Sequence, residues 1–502
     1  MSASGRPVLL VNPPLVDGIA FTRQGRCQER EEVLGTTKPP YSLVLAAALL
    51  RARQVPIRLA DLTAEQRSAA ALATELRDAG FHPQVIVFPT TTPTLRADCV
   101  AMAAFREAFP GARLVCFGPH ASAAPRESME RAPEVDAMIV GEPEDAIVAL
   151  ATTSSLDDLG AIPGVTWRRH GAIVPHAARG SFVEFMQMPF PAWDLLDLRR
   201  YRLPMVGTPY VIVETSRGCP YSCDFCVAPI HQGHKFRERP AKVLVDEIER
   251  AHRELGVGFF YLWGDTVTLN AKSFGAFCDE LIERRLDIRW FGNARADNLT
   301  DPAFVRRLRR SGCWMLAMGI ESSSPDIRKD MVKRLEEAKI RVAFRNLREA
   351  GIKSFGFFIF GYPGDTVASM DATVDYAIEL DADFANFYPA VPYPGTELYE
   401  KCRREGLLAS EDWTRMEYSY YVLEGGGLDE RVVMAAINRA KRRFFLRPSY
   451  LVRHLGDTLR LVRTKPAIVG SLLSRMLFQP APRASSTPVA HGVASPAVNS
   501  EN

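Results

Sequence analysis

Short apolar runs alternate with helical spacing over residues 5–153: Val8-Leu-Leu-Val11, Ile57-Arg-Leu-Ala60, Val85-Ile-Val-Phe88, Leu114-Val-Cys-Phe117 and Ala137-Met-Ile-Val140. Between them, 42–53, 64–79, 95–109 and 125–132 carry helical patterns. Brief apolar strands separated by helices predict an α/β unit, a flavodoxin-like doubly wound parallel sheet. In such sheets ligands sit beyond the carboxyl ends of the strands, at a topological switch point. Residues 154–205 read as a connector. Val165 to Val174 alternates about His170-Gly171, as in a small hairpin, and Pro189, Pro191 and Pro204 exclude regular helix after it. From Tyr210 a βα rhythm resumes, with strands near 210–214, 258–263, 288–292, 314–319, 354–360 and 383–387. Helices near 240–255, 271–285, 301–311, 336–350 and 367–380 separate them, predicting a partial (βα)6 barrel over 206–400. Residues 401–478 are helical in pattern and interrupted at Pro448 and Pro466; 479–502, rich in Pro, Ser and Ala, is expected to be disordered.

Composition narrows the class. A chain of 502 residues, 47% hydrophobic and 24% charged, exceeds one ordinary core and suits a globular protein of two or three domains. No run of 18 apolar residues suggests a membrane span, and no signal-like apolar region follows Met1, so a cytoplasmic protein is expected. Net charge is +3, but 439–475 holds ten Lys or Arg against one acid, +9, leaving −6 elsewhere. Those basic helices either cap the barrel or meet anionic lipid at a membrane surface. No basic patch interleaved with stacking aromatics points to nucleic acid.

The nine cysteines are unevenly placed. Cys27, Cys99, Cys116, Cys278, Cys313 and Cys402 are scattered and read as buried thiols of a reducing compartment. Cys219, Cys223 and Cys226 fall within Thr215-Ser-Arg-Gly-Cys-Pro-Tyr-Ser-Cys-Asp-Phe-Cys226, directly after an apolar run. Three thiolates can hold three irons of a four-iron cluster and leave the fourth open to a chelating ligand. A zinc site completed by His231 or His234 is the alternative that spacing leaves standing.

The strand ends carry the remaining chemistry. In the first unit they are Asn12-Pro-Pro, Thr90-Thr91-Thr-Pro-Thr94, Gly118-Pro-His120 and Gly141-Glu142, small or polar residues that allow close approach by a large flat ligand. In the barrel they are Trp263-Gly264-Asp265-Thr266, Gly292-Asn293-Ala-Arg295-Ala-Asp297, Gly319-Ile-Glu321-Ser322-Ser323, and Phe360-Gly361-Tyr-Pro-Gly-Asp365. Each has a plainer local reading: Asp265 or Thr266 as a helix cap, Arg295 paired with Asp297, Glu321 as a solvated carboxylate. Tyr388 and Tyr393 end the sixth strand.

The Cys-x3-Cys-x2-Cys spacing after a first barrel strand resembles the radical S-adenosylmethionine (SAM) enzymes. The preceding α/β unit, with Lys38-Pro-Pro-Tyr-Ser-Leu43, Gly118-Pro-His-Ala-Ser122 and Gly141-Glu-Pro-Glu144, resembles their cobalamin (B12)-binding subclass. That subclass includes the class B methyltransferases and the anaerobic magnesium-protoporphyrin ester cyclase. The resemblance implies a 4Fe-4S cluster on Cys219, Cys223 and Cys226. It implies SAM held near Phe225, Gly264, Asp265, Arg295, Glu321, Ser322 and Gly361, and cobalamin near Asn12, Thr91, Gly118, His120, Gly141 and Glu142. It further implies a low-potential electron donor such as flavodoxin or ferredoxin, and a small-molecule substrate attacked through a 5'-deoxyadenosyl radical. The Asp-x-His-x-x-Gly cobalt-ligand motif is absent, and His120 reads as a hydrogen-bonding residue. The activity implied is C-methylation of a biosynthetic intermediate, with ring formation or rearrangement as the alternative and a cofactor sensor as a third class.

Overall fold

The computed structural model describes residues 5–454 and 456, apart from 24–36, 154, 179, 181, 204 and 205. Its first half interleaves β1 (Val8–Asn12), α1 (Tyr41–Ala52), β2 (Ile57–Asp61), α2 (Leu62–Glu65), α3 (Ala69–Asp78), β3 (Val85–Pro89), α4 (Leu95–Ala108) and β4 (Arg113–Phe117). Then follow α5 (Pro119–Ala123), α6 (Pro125–Arg131), β5 (Ala137–Ile139), α7 (Glu144–Thr152), β6 (Val165–Arg169) and β7 (Ala172–Val174). The sheet order is β2-β1-β3-β4-β5-β6-β7, parallel through β5. Crossovers leave β1 in opposite directions toward β2 and β3, which puts the switch point at Asn12 and Pro89. β1 and β3 are buried at every position, as expected of strands covered by helices on both faces.

Two details differ from the periodicity. The expected hairpin forms, but it is no free connector: β6 adds antiparallel to β5 and extends the first sheet. The single helix expected over 64–79 is two. Asp61 accepts from the Ala64 N–H at 3.0 Å and Ser68 from the Ala71 N–H at 3.2 Å. Two capping residues so close start two helices, with Gln66 left-handed between them.

The second sheet begins with β8 (Val211–Glu214). β9 (Ser216–Arg217) and β10 (Arg237–Glu238) pair antiparallel and bracket the cysteine loop with α8 (Ala228–Gln232). The rhythm continues through α9 (Ala241–Leu255), β11 (Phe259–Trp263), α10 (Ala271–Arg284), β12 (Arg289–Ala294), α11 (Pro302–Arg310) and β13 (Cys313–Glu321). After these come α12 (Pro325–Asp330), α13 (Glu337–Ala350), β14 (Lys353–Phe360), α14 (Val367–Glu379), β15 (Phe384–Pro389) and α15 (Glu397–Arg404). Its six strands run parallel in the order β15-β14-β13-β12-β11-β8, a partial barrel. β14 and β15 alternate fully buried residues with half-buried ones at Phe355, Phe357, Phe384 and Tyr388, so one face lies under helices and the other is less covered.

α16 (Glu430–Phe445) packs on α14 and β15, followed by α17 (Pro448–Arg453). Arg439 pairs with Asp371 at 3.1 Å and Arg443 with Asp375 at 2.5 Å. These basic side chains therefore face acids of the barrel's own helix, and this part of the basic stretch caps the barrel. The remainder of that stretch, the expected disordered tail and Cys27 lie outside the described residues. Among the described residues no helix is long and apolar enough to cross a membrane.

Candidate functional site: two facing mouths

The cysteine loop is held from several directions. The Cys219 N–H donates to the Gly233 carbonyl at 3.2 Å and the Cys226 N–H to the Cys223 carbonyl at 3.1 Å. Gly218, at φ +79°, lies so near the Lys235 carbonyl that a side chain there would collide with it. Asp224, between the second and third cysteines, donates its N–H to Met331 at 3.2 Å and accepts at its carbonyl from the Leu398 N–H at 3.0 Å. Its carboxylate accepts from the Tyr362 hydroxyl at 2.5 Å.

Cys219, Cys223 and Cys226 are half-exposed, whereas Cys116, Cys278, Cys313 and Cys402 are buried. Burial pushes the Cys278 and Cys402 thiols up to about 12, which keeps them protonated and unreactive at neutral pH. Of the two histidines that might complete a zinc site, His231 hydrogen-bonds Ser122 at 3.0 Å through Nδ1, and His234 is exposed. Among the described residues no three His, Cys, Asp or Glu side chains converge as a single metal ion requires. Three accessible thiols along one loop fit a cluster with an open iron.

Beside this loop the barrel mouth presents unsatisfied polar atoms in close quarters. Ser216 Oγ is buried without a hydrogen-bond partner, and a Cβ on Gly264 would come within 2.5 Å of it. Asp265 is half-buried next to that glycine. Glu321 ends β13 at φ +70°, a left-handed conformation costly for a non-glycine residue. Its Oε1 pairs with Lys333 at 2.7 Å, while Oε2 is buried with no protein partner. Ser322 Oγ accepts from the Ser324 N–H at 3.1 Å and so caps the turn locally. Gly361, at φ +73°, donates its N–H to Asp365 at 3.0 Å and accepts from the Tyr421 hydroxyl at 2.8 Å.

Arg295 is more engaged than its strand-end position suggested. Nε donates to Asp297 at 3.0 Å, Nη2 to the carbonyls of Lys333 and Arg334 at 2.6 and 3.1 Å, and the guanidinium lies 4.0 Å from the Tyr221 ring centre. Phe225 is half-buried against the barrel core. Tyr388 stacks on Tyr418 at 4.6 Å, whereas Tyr393 is buried among residues of the first sheet's core.

At the first sheet, Asn12 donates to Asp61 at 2.8 Å, and Asp61 also accepts from Tyr201 at 2.8 Å. The hydroxyls of Thr91 and Thr94 share a hydrogen bond at 2.8 Å. Gly118, at φ +126°, lies where a Cβ would come within 2.7 Å of the Thr90 carbonyl. The Gly141 N–H donates to Ser122 at 3.0 Å. A shallow cleft at the switch point is lined by Asn12, Arg23, Lys38, Ser42, Pro89 and Phe117 among others.

Two side chains in this group face the protein. His120 is fully buried, with Nδ1 3.0 Å from Thr92 Oγ1 and Nε2 3.0 Å from Ser128 Oγ. Burial, helped by Arg131, lowers its pKa to about 3, so it is neutral. Glu142 turns both oxygens to protein groups: Arg237, Arg217 at 3.3 Å and the Val183 N–H at 3.0 Å. Its carboxylate therefore points to the cysteine loop rather than into the mouth of the sheet.

The two mouths adjoin. Ser122 and His231 join α5 to α8, Glu144 reaches Arg217 at 2.6 Å, and Val227, Val391 and Tyr393 belong to the first sheet's core. Arg217, Asp224, Ser216, Lys333 and Tyr362 are the site residues that sequence reasoning did not single out. Three of them lay inside or beside the cysteine motif, but nothing local reveals their distant partners.

Residues 213–377, which include the three accessible thiols after the first barrel strand and the unsatisfied acid after the fourth, match the radical SAM superfamily. Such a domain carries a 4Fe-4S cluster and uses SAM, so the protein is a radical SAM enzyme. The similarity extends beyond the barrel. An uncharacterized methyltransferase of Pyrococcus horikoshii is 27% identical over 451 residues, 90% of this chain and 95% of that one. The anaerobic magnesium-protoporphyrin IX monomethyl ester cyclase of Cereibacter sphaeroides is 27% identical over 424 residues, 83% of this chain and 68% of the cyclase. Among solved structures, the radical SAM methyltransferase TsrM of Kitasatospora setae, with cobalamin and a [4Fe-4S] cluster bound, superposes with a TM-score of 0.65. At 20% identity, covering 80% of this chain and 78% of TsrM, that likeness shows a shared fold.

Proposed function

We propose that the chain is a cobalamin-dependent radical SAM methyltransferase acting on an unactivated carbon of a biosynthetic intermediate. The observation that carries this is the juxtaposition of mouths: the cysteine loop abuts the strand ends of a flavodoxin-like sheet, sharing core residues with it. The methyltransferase name of the Pyrococcus relative, which matches across both domains, supports the same reading.

Cys219, Cys223 and Cys226 would hold the cluster. Ser216, Gly264, Asp265, Glu321 and Gly361 would receive SAM, with Phe225 beside it and Ser322 shaping the turn. Glu321 Oε2 is an acceptor waiting for a hydroxyl donor, and Gly264 lets Ser216 and Thr215 approach where a side chain would collide with them. Arg295 would orient this pocket through Asp297 and the carbonyls of Lys333 and Arg334. Asn12, Thr91, Gly118 and Gly141 would line the cobalamin face, with His120 supporting the turn as a neutral hydrogen-bonding residue. Bound there, these groups supply a one-electron cleavage of SAM and a transferable methyl group. The chain's own part is to hold them on opposite sides of one small-molecule substrate and to exclude water. A low-potential flavodoxin or ferredoxin would deliver the electron.

A ring-forming activity is the second reading, favoured by the match to the ester cyclase over most of the chain. Anaerobically reconstituted protein, supplied with hydroxocobalamin, SAM and a low-potential reductant, separates the two. Formation of both 5'-deoxyadenosine and S-adenosylhomocysteine supports methylation. Deoxyadenosine alone supports cyclisation, and neither product would return the chain to a sensor.

A further inference from the structure

Three parts of the chain meet at one buried charged cluster. β9 and β10 form the neck of the cysteine loop, and each contributes an arginine, Arg217 and Arg237. The turn after β5 contributes Glu142, the first residue of α7 is Glu144, and the end of β8 contributes Glu214. Arg217 lies 2.6 Å from Glu144, 2.8 Å from Glu214 and 3.3 Å from Glu142, and Arg237 pairs with Glu142. The connector closes the cluster: Phe185 lies 4.9 Å from the Arg217 guanidinium and Phe182 4.4 Å from that of Arg237, while the Val183 N–H donates to Glu142.

Charges this deep are a costly way to glue surfaces together. The Arg217 side chain is 4% exposed, and those of Glu142 and Glu144 are 1% and 2%. Desolvating ions offsets most of their mutual attraction, so an apolar contact of equal area would hold the domains at least as firmly. A charged contact adds direction. The Arg237 fork donates to both oxygens of Glu142, and Arg217 Nη2 donates to Glu144 and Glu214, contacts that hold only in a narrow set of orientations. Burial alone would raise the Glu142 pKa, yet the two arginines overcome it and hold that carboxyl below its ordinary value. The cluster thus fixes an angle and a distance between the first sheet and the loop that begins two residues after Arg217.

We propose that Glu142 and Glu144 are positioning residues that act through Arg217 and Arg237. They lock the neck of the cysteine loop onto the first sheet, so that the two mouths keep a single separation during turnover. This rests on the reading that the loop carries the cluster and the sheet carries the corrinoid, and it adds that the two do not swing apart.

The test has one arm that needs no cofactor. In the cofactor-free chain, Glu144→Gln should speed hydrogen exchange across 216–238 at least about tenfold and leave α9 and the first sheet unchanged. Glu144→Asp, which keeps the charge, should restore much of the protection. Should Glu144→Gln fail to fold, Glu142→Gln serves as the second variant, since it loosens the same neck through Arg237. In loaded protein, dipolar coupling between the reduced cluster and cob(II)alamin should report one narrow distance in the parent chain and a broad one in the glutamine variant. Unchanged exchange and an unchanged distance would both overturn the proposal. A parent chain that binds no cluster or corrinoid would sink the functional reading instead, while the exchange arm still decides the lock.

Discussion

The Tyr362 hydroxyl donates to the Asp224 carboxylate at 2.5 Å, joining the turn after β14 to the cysteine loop across 138 residues of sequence. Burial raises the Asp224 pKa, and its Oδ1 has no hydrogen-bond partner, so this one bond carries most of the carboxyl's satisfaction. Tyr362→Phe should cost about 1–3 kcal/mol of stability, the penalty for leaving a buried acceptor unmade. Denaturant unfolding measures that loss, and iron retained per chain after desalting should fall with it. Full stability and full iron would mean the bond is incidental.

Cys223→Ala removes one of three thiols from a loop that offers no fourth. The reconstituted variant is expected to lose the four-iron absorption and SAM cleavage together, while its far-ultraviolet circular dichroism matches the parent. Retention of full iron would place the cluster elsewhere.

Glu321 holds a strained backbone and an unsatisfied oxygen in one residue, a combination that persists where a ligand uses it. Glu321→Gln preserves shape but weakens the acceptor and leaves Lys333 without its partner. SAM affinity, measured by equilibrium dialysis, should drop about tenfold or more, corresponding to about 1.4 kcal/mol. Binding within twofold of the parent would remove Glu321 from the SAM site.

His120 sets a pH dependence whose sign is fixed. Its folded pKa of about 3 lies below the ordinary 6.5, so the unfolded chain binds the extra proton. The stabilisation is complete above pH 6.5 and is lost as pH falls toward 3, at about 1.4 kcal/mol per pH unit within that window. Between pH 7 and pH 5 the Tm should fall, and His120→Gln should flatten that slope while lowering stability at pH 7. An identical slope in the variant would show that other groups govern it.

Much of the fold was legible because its signals are local. The central strands β1 and β3 of the first sheet are almost wholly apolar, and the barrel strands recur between amphipathic helices, so type and order could be read from period alone. The cysteine triad was equally plain, since a cluster motif depends on spacing along one loop. The split at Gln66 was missed because the helical pattern runs through it while two caps compete beneath. The hairpin's attachment to β5 was missed because nothing in its alternation says which edge it joins.

At the site the division is sharper. Sequence alone determined which residues end the strands and which thiols are clustered, because these follow from chain neighbours. Only the tertiary structure decided that Glu142 serves Arg217 and Arg237 rather than the sheet's mouth, that Arg295 is bound to its own loop, and that Asp224 answers Tyr362. A carboxylate's partner depends on what folding carries beside it in a medium that penalises an unpaired charge, and that neighbour lies far away along the chain.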